Sequence, residues 1–343
     1  MDKFKGLALG IGSLPHKDAK EAVDLVLKSL PQTPFWPQLP CRDKREGMVA
    51  QFSENLPCLR FSAEGVKFDP VHKDKELEDF YAKIIDGDTE YFKISAPYAS
   101  GLYEFYCRLE KGIAGFDFIK CQVTGPFTFA ASLNDEEGKP LMHNKVFMEV
   151  IIKGLAAKAL WQIKLFRKFG KKVILFFDEP YLSAFGSAYT SLNREDVIRG
   201  FSEFISGFKS EDCLVGAHCC GNTDWSIFTD TPGLDIINFD AFDFQDKFVL
   251  YAPALKGFFE RGGAVCWGIV PTEGFSEKIT PELLVNKVKS GIDILEKKGI
   301  SRQLLLERLL VSPSCGLGSL DIGKAAKIFK LLTETSALLQ KIT

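Results

Sequence analysis

The residues in this chain best suited to chemistry are one histidine and two cysteines. His218-Cys219-Cys220-Gly221 follows the apolar run 213–217, which reads as a strand. Successive strand residues point to opposite sides, so His218 and Cys220 are expected to face one way and Cys219 the other. An imidazole and a thiolate on one side make half of a zinc site. Cys315, in Ser312-Pro313-Ser314-Cys315-Gly316-Leu317-Gly318, follows the last apolar run and offers a third ligand. Asp240 is the first acid after the run 234–239 and offers a fourth. Structural zinc fingers keep their ligands in close pairs. Ligands spread over three strand ends suit a catalytic site instead. The plainer alternative makes these thiols small core residues and His218 a satisfied core histidine.

Three further motifs sit where strands end. Asp178-Glu179-Pro180 follows the run 172–177. Two acids there can hold a cationic group, or Asp178 can serve as a helix N-cap. Ile11-Gly12-Ser13 follows the first run. Gly12 lets a ligand approach the backbone, and Ser13 offers a hydroxyl and an N–H; a plain turn would look the same. Gly125-Pro126 follows the run 118–123. Free N–H groups there could face an anion, or the proline simply occupies the first position of a helix.

The elements that must carry these residues alternate. Apolar runs at 7–11, 35–39, 118–123, 172–177, 213–217, 234–239, 264–268 and 308–311 read as strands buried on both faces. Helical patterns follow most of them. Asp18 with Glu21 reads as a capping box for a helix reaching about Leu30. Residues 144–169 form a long amphipathic stretch. Thr280-Pro281 reads as N-cap and first residue of a helix to about Lys298, and Ser319 is expected to begin the last one. Eight such units predict a (β/α)8 TIM barrel in which 1–343 form a single α/β domain. An open doubly wound sheet is the alternative. Residues 41–115 break the alternation and hold a possible hairpin at 59–62 and 66–68. They read as an insertion after the second strand, on the face where βα loops emerge.

The composition narrows the function. A net charge of −2 over 343 residues, with no long basic run, gives no footing for nucleic-acid or membrane-surface binding. The start of the chain lacks the apolar stretch of a signal peptide, and no run of 18 apolar residues marks a membrane span. The nine cysteines cannot all pair with one another. Free or metal-bound thiols in a reducing, cytoplasmic compartment are expected.

Together, Ile11-Gly12-Ser13, Val123-Thr124-Gly125-Pro126, Asp178-Glu179-Pro180, His218-x-Cys220 and 312–318 resemble one superfamily along nearly the whole chain. It contains cobalamin-independent methionine synthase, the methylcobamide:thiol methyltransferases and uroporphyrinogen decarboxylase. The resemblance is nearest to a single-barrel methionine synthase. It implies zinc held by His218, Cys220, Asp240 and Cys315, and a homocysteine backbone contacted by Ile11, Gly12, Ser13 and Asp178. The family acid at the third ligand is usually Glu, where this chain has Asp240. The stretch 218–223 also resembles the coenzyme-M-type enzymes. Two departures leave the acceptor open between homocysteine and another small thiol. The histidine that donates a proton after the seventh strand is replaced by Trp267-Gly268-Ile269-Val270-Pro271-Thr272. The glutamate expected shortly before Met48-Val49 is Arg42.

The implied activity is methyl transfer to a zinc-activated thiol, as in methionine biosynthesis. Folate-using synthases of this family carry two barrels, and this chain has room for one. The expected donor is therefore a methylcorrinoid, presented by a separate corrinoid protein. The aromatics Phe35, Trp36, Phe52 and Tyr91 would then form a lid or docking surface, or merely pack the insertion. The competing readings are a decarboxylase of a large carboxylated ring, and a non-catalytic binder of zinc or a corrinoid.

Overall fold

Seven of the eight apolar runs become strands of one parallel sheet. The structure, a computed structural model, describes residues 2–113, 115–187, 190 and 192–342. Met1 and Thr343, the ends of the expected domain, and Ala114 of the expected insertion lie outside the described residues. The strands are β1 (Leu7–Ala8), β4 (Phe118–Thr124), β5 (Lys172–Asp178), β6 (Cys213–Cys219), β7 (Ile236–Phe239), β8 (Ala264–Val270) and β9 (Leu309–Pro313). Their order is β1-β9-β8-β7-β6-β5-β4, and every pairing is parallel. The antiparallel hairpin of β2 (Leu59–Ser62) and β3 (Gly65–Phe68) stands apart.

The eighth run does not form a regular strand. With its flanks, the run 35–39 reads Thr33-Pro34-Phe35-Trp36-Pro37-Gln38-Leu39-Pro40. Pro37 within it and Pro34 and Pro40 on either side have no N–H to give to a ladder. What survives are isolated bridges, Ser13 to Gln38 on one side and Phe35 to Lys120 on the other. The Gln38 N–H donates to the Gly12 carbonyl at 3.0 Å, and the Lys120 N–H donates to the Pro34 carbonyl at 2.9 Å. The sheet is thus curled, with one irregular segment touching both of its edges.

One face of the curl carries Leu7, Phe118, Ile174, Phe176, Ile236, Ala264, Cys266 and Leu310, all buried. The other face packs against the helices in one continuous apolar core. Asp18 caps the helix Ala19–Ser29 by accepting from the Lys20 and Glu21 amides. Asn144 caps Lys145–Arg167, and Thr280 caps Pro281–Lys297. The last helix, Ile322–Gln340, starts at Asp321 rather than Ser319, because the Asp321 carboxylate takes the Lys324 amide. The tail of the expected insertion is the helix Ser100–Glu110, which lies against Ala19–Ser29 and completes the alternation before β4. No helix among the described residues is long and apolar enough to cross a membrane.

Candidate metal centre

Alternation along β6 divides its last residues as expected. Cys219 points into the core behind the sheet, fully buried. His218 and Cys220 instead line a cavity of about 350 Å³ at the C-terminal end of the sheet. Cys315 reaches the same cavity from the turn after β9. The ligand atoms of His218, Cys220 and Cys315 all lie within 4.8 Å of one another. A deeper row of residues supports them, with Asp178, His218 and Asn238 side by side on β5, β6 and β7.

The electrostatics of the three groups favour a cation. Cys220 is held below the ordinary thiol range, first by its hydrogen bond with Cys315, against the opposing effect of burial. Cys315 is pushed up by that same bond and by burial. The two thiols therefore titrate as a pair, with Cys220 the more readily ionised. Burial alone would lower His218, but Cys315 and Asp178 outweigh it and raise the imidazole.

The orientation of His218 is fixed from behind. Its Nδ1 lies 2.5 Å from the Asn238 Oδ1. The Asn238 amide donates to the Cys266 carbonyl and to the Ser312 hydroxyl, each at 2.9 Å. With both amide hydrogens engaged, the oxygen must face the ring. His218 Nδ1 then carries the hydrogen and Nε2 keeps its lone pair for a ligand. Metal-binding histidines are regularly held by such a partner. One imidazole and two neighbouring thiols, with the ring pre-oriented, fit a zinc ion with a position left for substrate. The signal for Asn238 was present in the sequence: it is the one polar residue inside Ile236-Ile237-Asn238-Phe239.

Asp240 stands outside the triad. Its Oδ1 accepts from the Phe242 and Asp243 amides at 2.9 and 3.0 Å and caps the helix Ala241–Phe248. Burial pushes it up to about 6, against the pull of those amides and of His218.

The two acids after β5 divide their roles. Glu179, not Asp178, serves a helix start. It accepts from the Phe127 amide at 2.9 Å, from the Thr128 amide at 2.8 Å and from the Thr128 hydroxyl at 2.7 Å. The N–H groups after Gly125-Pro126 are thus already engaged by a protein carboxylate. Asp178 remains at the cavity wall, 8% exposed, and its Oδ1 has no hydrogen-bond partner. Burial raises its carboxyl, opposed by His218 and Lys120.

Ile11 and Ser13 line the opposite wall. The Ser13 hydroxyl accepts from the Gly318 amide at 3.2 Å, and its carbonyl accepts from Leu317 at 3.0 Å. A side chain at Gly316 would put Cβ 2.3 Å from the Ser13 Oγ and push that hydroxyl aside. Gly12 packs against Gln38 and Gln122. Glu46 also lines the cavity, a residue the sequence reading passed over. Its carboxylate takes the Arg42 guanidinium at 2.6 Å, the Ser100 hydroxyl at 2.7 Å and the Leu39 amide at 3.1 Å. A larger cleft of about 550 Å³ lies among helices around Met142, Met148 and Arg199 and contains none of the residues singled out from the sequence. All nine cysteines are free thiols.

No family model matches the chain, and no curated protein matches it. Among solved structures it is similar to a modular endo-β-1,4-mannanase of glycoside hydrolase family 26 from Cellulomonas fimi, at 15% identity and a TM-score of 0.34. The similarity covers 69% of this chain and 57% of that one, so this chain spans little more than half of that enzyme's length.

Proposed function

We propose that this chain is a zinc-dependent methyltransferase, built as a single (β/α)8 barrel whose eighth stave is the proline-broken segment 34–38. It moves a methyl group onto a small thiol, with homocysteine as the leading acceptor. The observation that carries the reading is the His218, Cys220 and Cys315 cluster at the wall of a cavity that also holds the unpartnered Asp178.

Zinc held by these three residues would keep a bound substrate thiol deprotonated at neutral pH, where a free thiol is only a few per cent thiolate. The remaining acceleration comes from the protein. Deprotonation is worth only about 2 kcal/mol at pH 7, whereas holding sulfur and methyl in line can supply roughly 7–11 kcal/mol. Asp178 binds the acceptor's ammonium, the 11–13 loop fixes its far end, and Asn238 holds His218 in register. The thiol proton leaves when the acceptor binds. The S–C bond then forms as the methyl–donor bond breaks, and the electron pair stays with the donor.

That last step identifies the donor class. After β8, Thr272 is the first polar residue in the stretch where the family's proton-donating histidine would stand. Its N–H and hydroxyl are tied to the Ser314 hydroxyl at 3.2 and 3.1 Å. A leaving group that needs no proton suits a stretch without such a donor, and a corrinoid is one. We therefore read methylcobalamin, presented by a separate corrinoid protein, as the donor. The test is an anaerobic assay of the zinc-loaded chain with homocysteine or coenzyme M, each with methylcobalamin or methyltetrahydrofolate. Turnover with methylcobalamin and homocysteine is expected. Turnover with the folate alone would overturn the donor, and tight zinc binding without any methyl transfer would overturn the activity.

A further inference from the structure

The 11–13 loop leaves the sheet where regular pairing stops, at the gap filled by the segment 34–38. A buried cation sits behind it. Lys120 on β4 is fully buried, which lysine almost never is without partners. Its Nζ donates to the Ile11 carbonyl and to the Gln122 Oε1, the latter at 3.2 Å. The ammonium also lies 5.1 Å from the centre of the Phe176 ring, a favourable face for a cation. Gln122 carries the contact onward, donating to the Trp36 carbonyl at 2.9 Å. Space-filling alone does not require a charge here, since methionine would fill the same volume.

We propose that Lys120 is a positioning residue of the site: by bonding the Ile11 carbonyl from inside the curl it fixes the 11–13 loop and, through Ser13, the 316–318 turn beside Cys315. The links are continuous. Gln38 bonds the loop on both sides, accepting from Leu14 at 2.9 Å and donating to Gly12. Ser13 then takes the amides of Leu317 and Gly318. Lys120 also attracts Asp178, which lines the same cavity as Ile11 and Ser13. Burial lowers the lysine to about 8, and Asp178 is the largest influence pulling it back up.

The catalytic part of the test rests on the methyl-transfer reading, while the structural part stands without it. Lys120→Met and Lys120→Gln are compared with the parent in the full zinc-loaded chain, zinc being supplied in excess. Amide hydrogen exchange is read by mass spectrometry over 9–16 and 314–320, together with kcat and KM for homocysteine. In Lys120→Met, exchange should accelerate ~10-fold or more in those two segments while the rest of the sheet keeps its protection. KM should rise roughly 10–100-fold, with kcat changed about threefold or less. Lys120→Gln, which retains a donor, should recover part of both effects. Unchanged exchange in the two segments, acceleration spread evenly over the sheet, or failure of both variants to fold would each overturn the proposal and make Lys120 a framework residue. If the parent methylates no homocysteine but the local exchange difference is seen, the methyl-transfer reading fails and the positioning role stands.

Discussion

Asn238→Leu is the sharpest probe of the centre, because it keeps the branched shape and removes the polarity. The native amide makes three bonds: one from His218 Nδ1 at 2.5 Å, and two donated to Cys266 and Ser312 at 2.9 Å. In the leucine variant the imidazole has no partner at Nδ1, so both neutral tautomers become available and the ring is free to turn. Loss of such an outer partner typically weakens metal binding 10–100-fold. At about 1.36 kcal/mol per decade, that is roughly 1.4–2.7 kcal/mol. Asn238→Asp keeps an acceptor at the ring and makes it anionic, so zinc should bind at least as tightly as in the parent. The assay is competition against a chromophoric chelator under reducing, anaerobic conditions, with circular dichroism to verify the fold. A leucine variant that folds and binds zinc within about threefold of the parent would refute the claim that Asn238 orients a ligand.

Three further sets of substitutions test separate parts of the argument. Cys220→Ser and Cys315→Ser should each lose most of the bound zinc by elemental analysis, while Cys219→Ser keeps it; equal loss in all three would refute the division of β6 into two faces. Asp178→Asn should retain zinc but weaken homocysteine binding by roughly 2–5 kcal/mol in calorimetric titration, and unaltered binding would mean that no ammonium sits there. Lys158 is fully buried with no partner for its Nζ, and burial lowers it to about 8 from 10.5. Below pH 8 the folded state carries the cost of the buried charge; as pH rises through 8 the folded protein releases the proton first, so stability climbs until about 10.5. Lys158→Met should therefore stabilise the fold at pH 7 by roughly 1–4 kcal/mol and flatten the rise of melting temperature between pH 8 and 10. A destabilised variant would show that the ammonium has found a partner in solution.

The parts of the site legible in sequence were those that depend on period and chain direction. Strand alternation separated His218 and Cys220 from Cys219, and the acids and glycines fell at strand ends because parallel strands present their C-termini together. What escaped were features set by neighbours in space. The run 35–39 looked like a strand on hydrophobicity, but the prolines at 34, 37 and 40 removed the donors that a ladder needs. Asp178 and Glu179 are adjacent and chemically alike, and only the approach of the Phe127 and Thr128 amides decides which one caps a helix. Arg42 was visible as a departure from the family pattern. That it folds back on Glu46 follows from a turn no periodicity describes. Glu46 itself was hidden among charged residues that look like a solvated loop.

The same pairing bears on which thiol the cavity would take. Two carboxylates, Asp178 and Glu46, line it, and among the described residues no lysine or arginine does. Arg42 is spent on Glu46 Oε1, and Ser100 takes that oxygen as well. Glu46 Oε2 receives only the Leu39 amide, and Asp178 Oδ1 receives nothing. A sulfonate such as that of coenzyme M would meet a buried carboxylate with no basic side chain on the lining to offset it, which is the costly side of a buried charge. An aminothiol brings its own cation to Asp178, and that arrival opposes the burial that raises the carboxyl. On the proposed chemistry the acceptor is therefore an amino-bearing thiol, with its carboxylate, if it has one, directed to backbone amides near Ser13 rather than to a basic side chain. Raising salt would then weaken acceptor binding only slightly, because the pair lies out of reach of mobile ions, whereas a site reading a sulfonate through surface cations would lose affinity steeply.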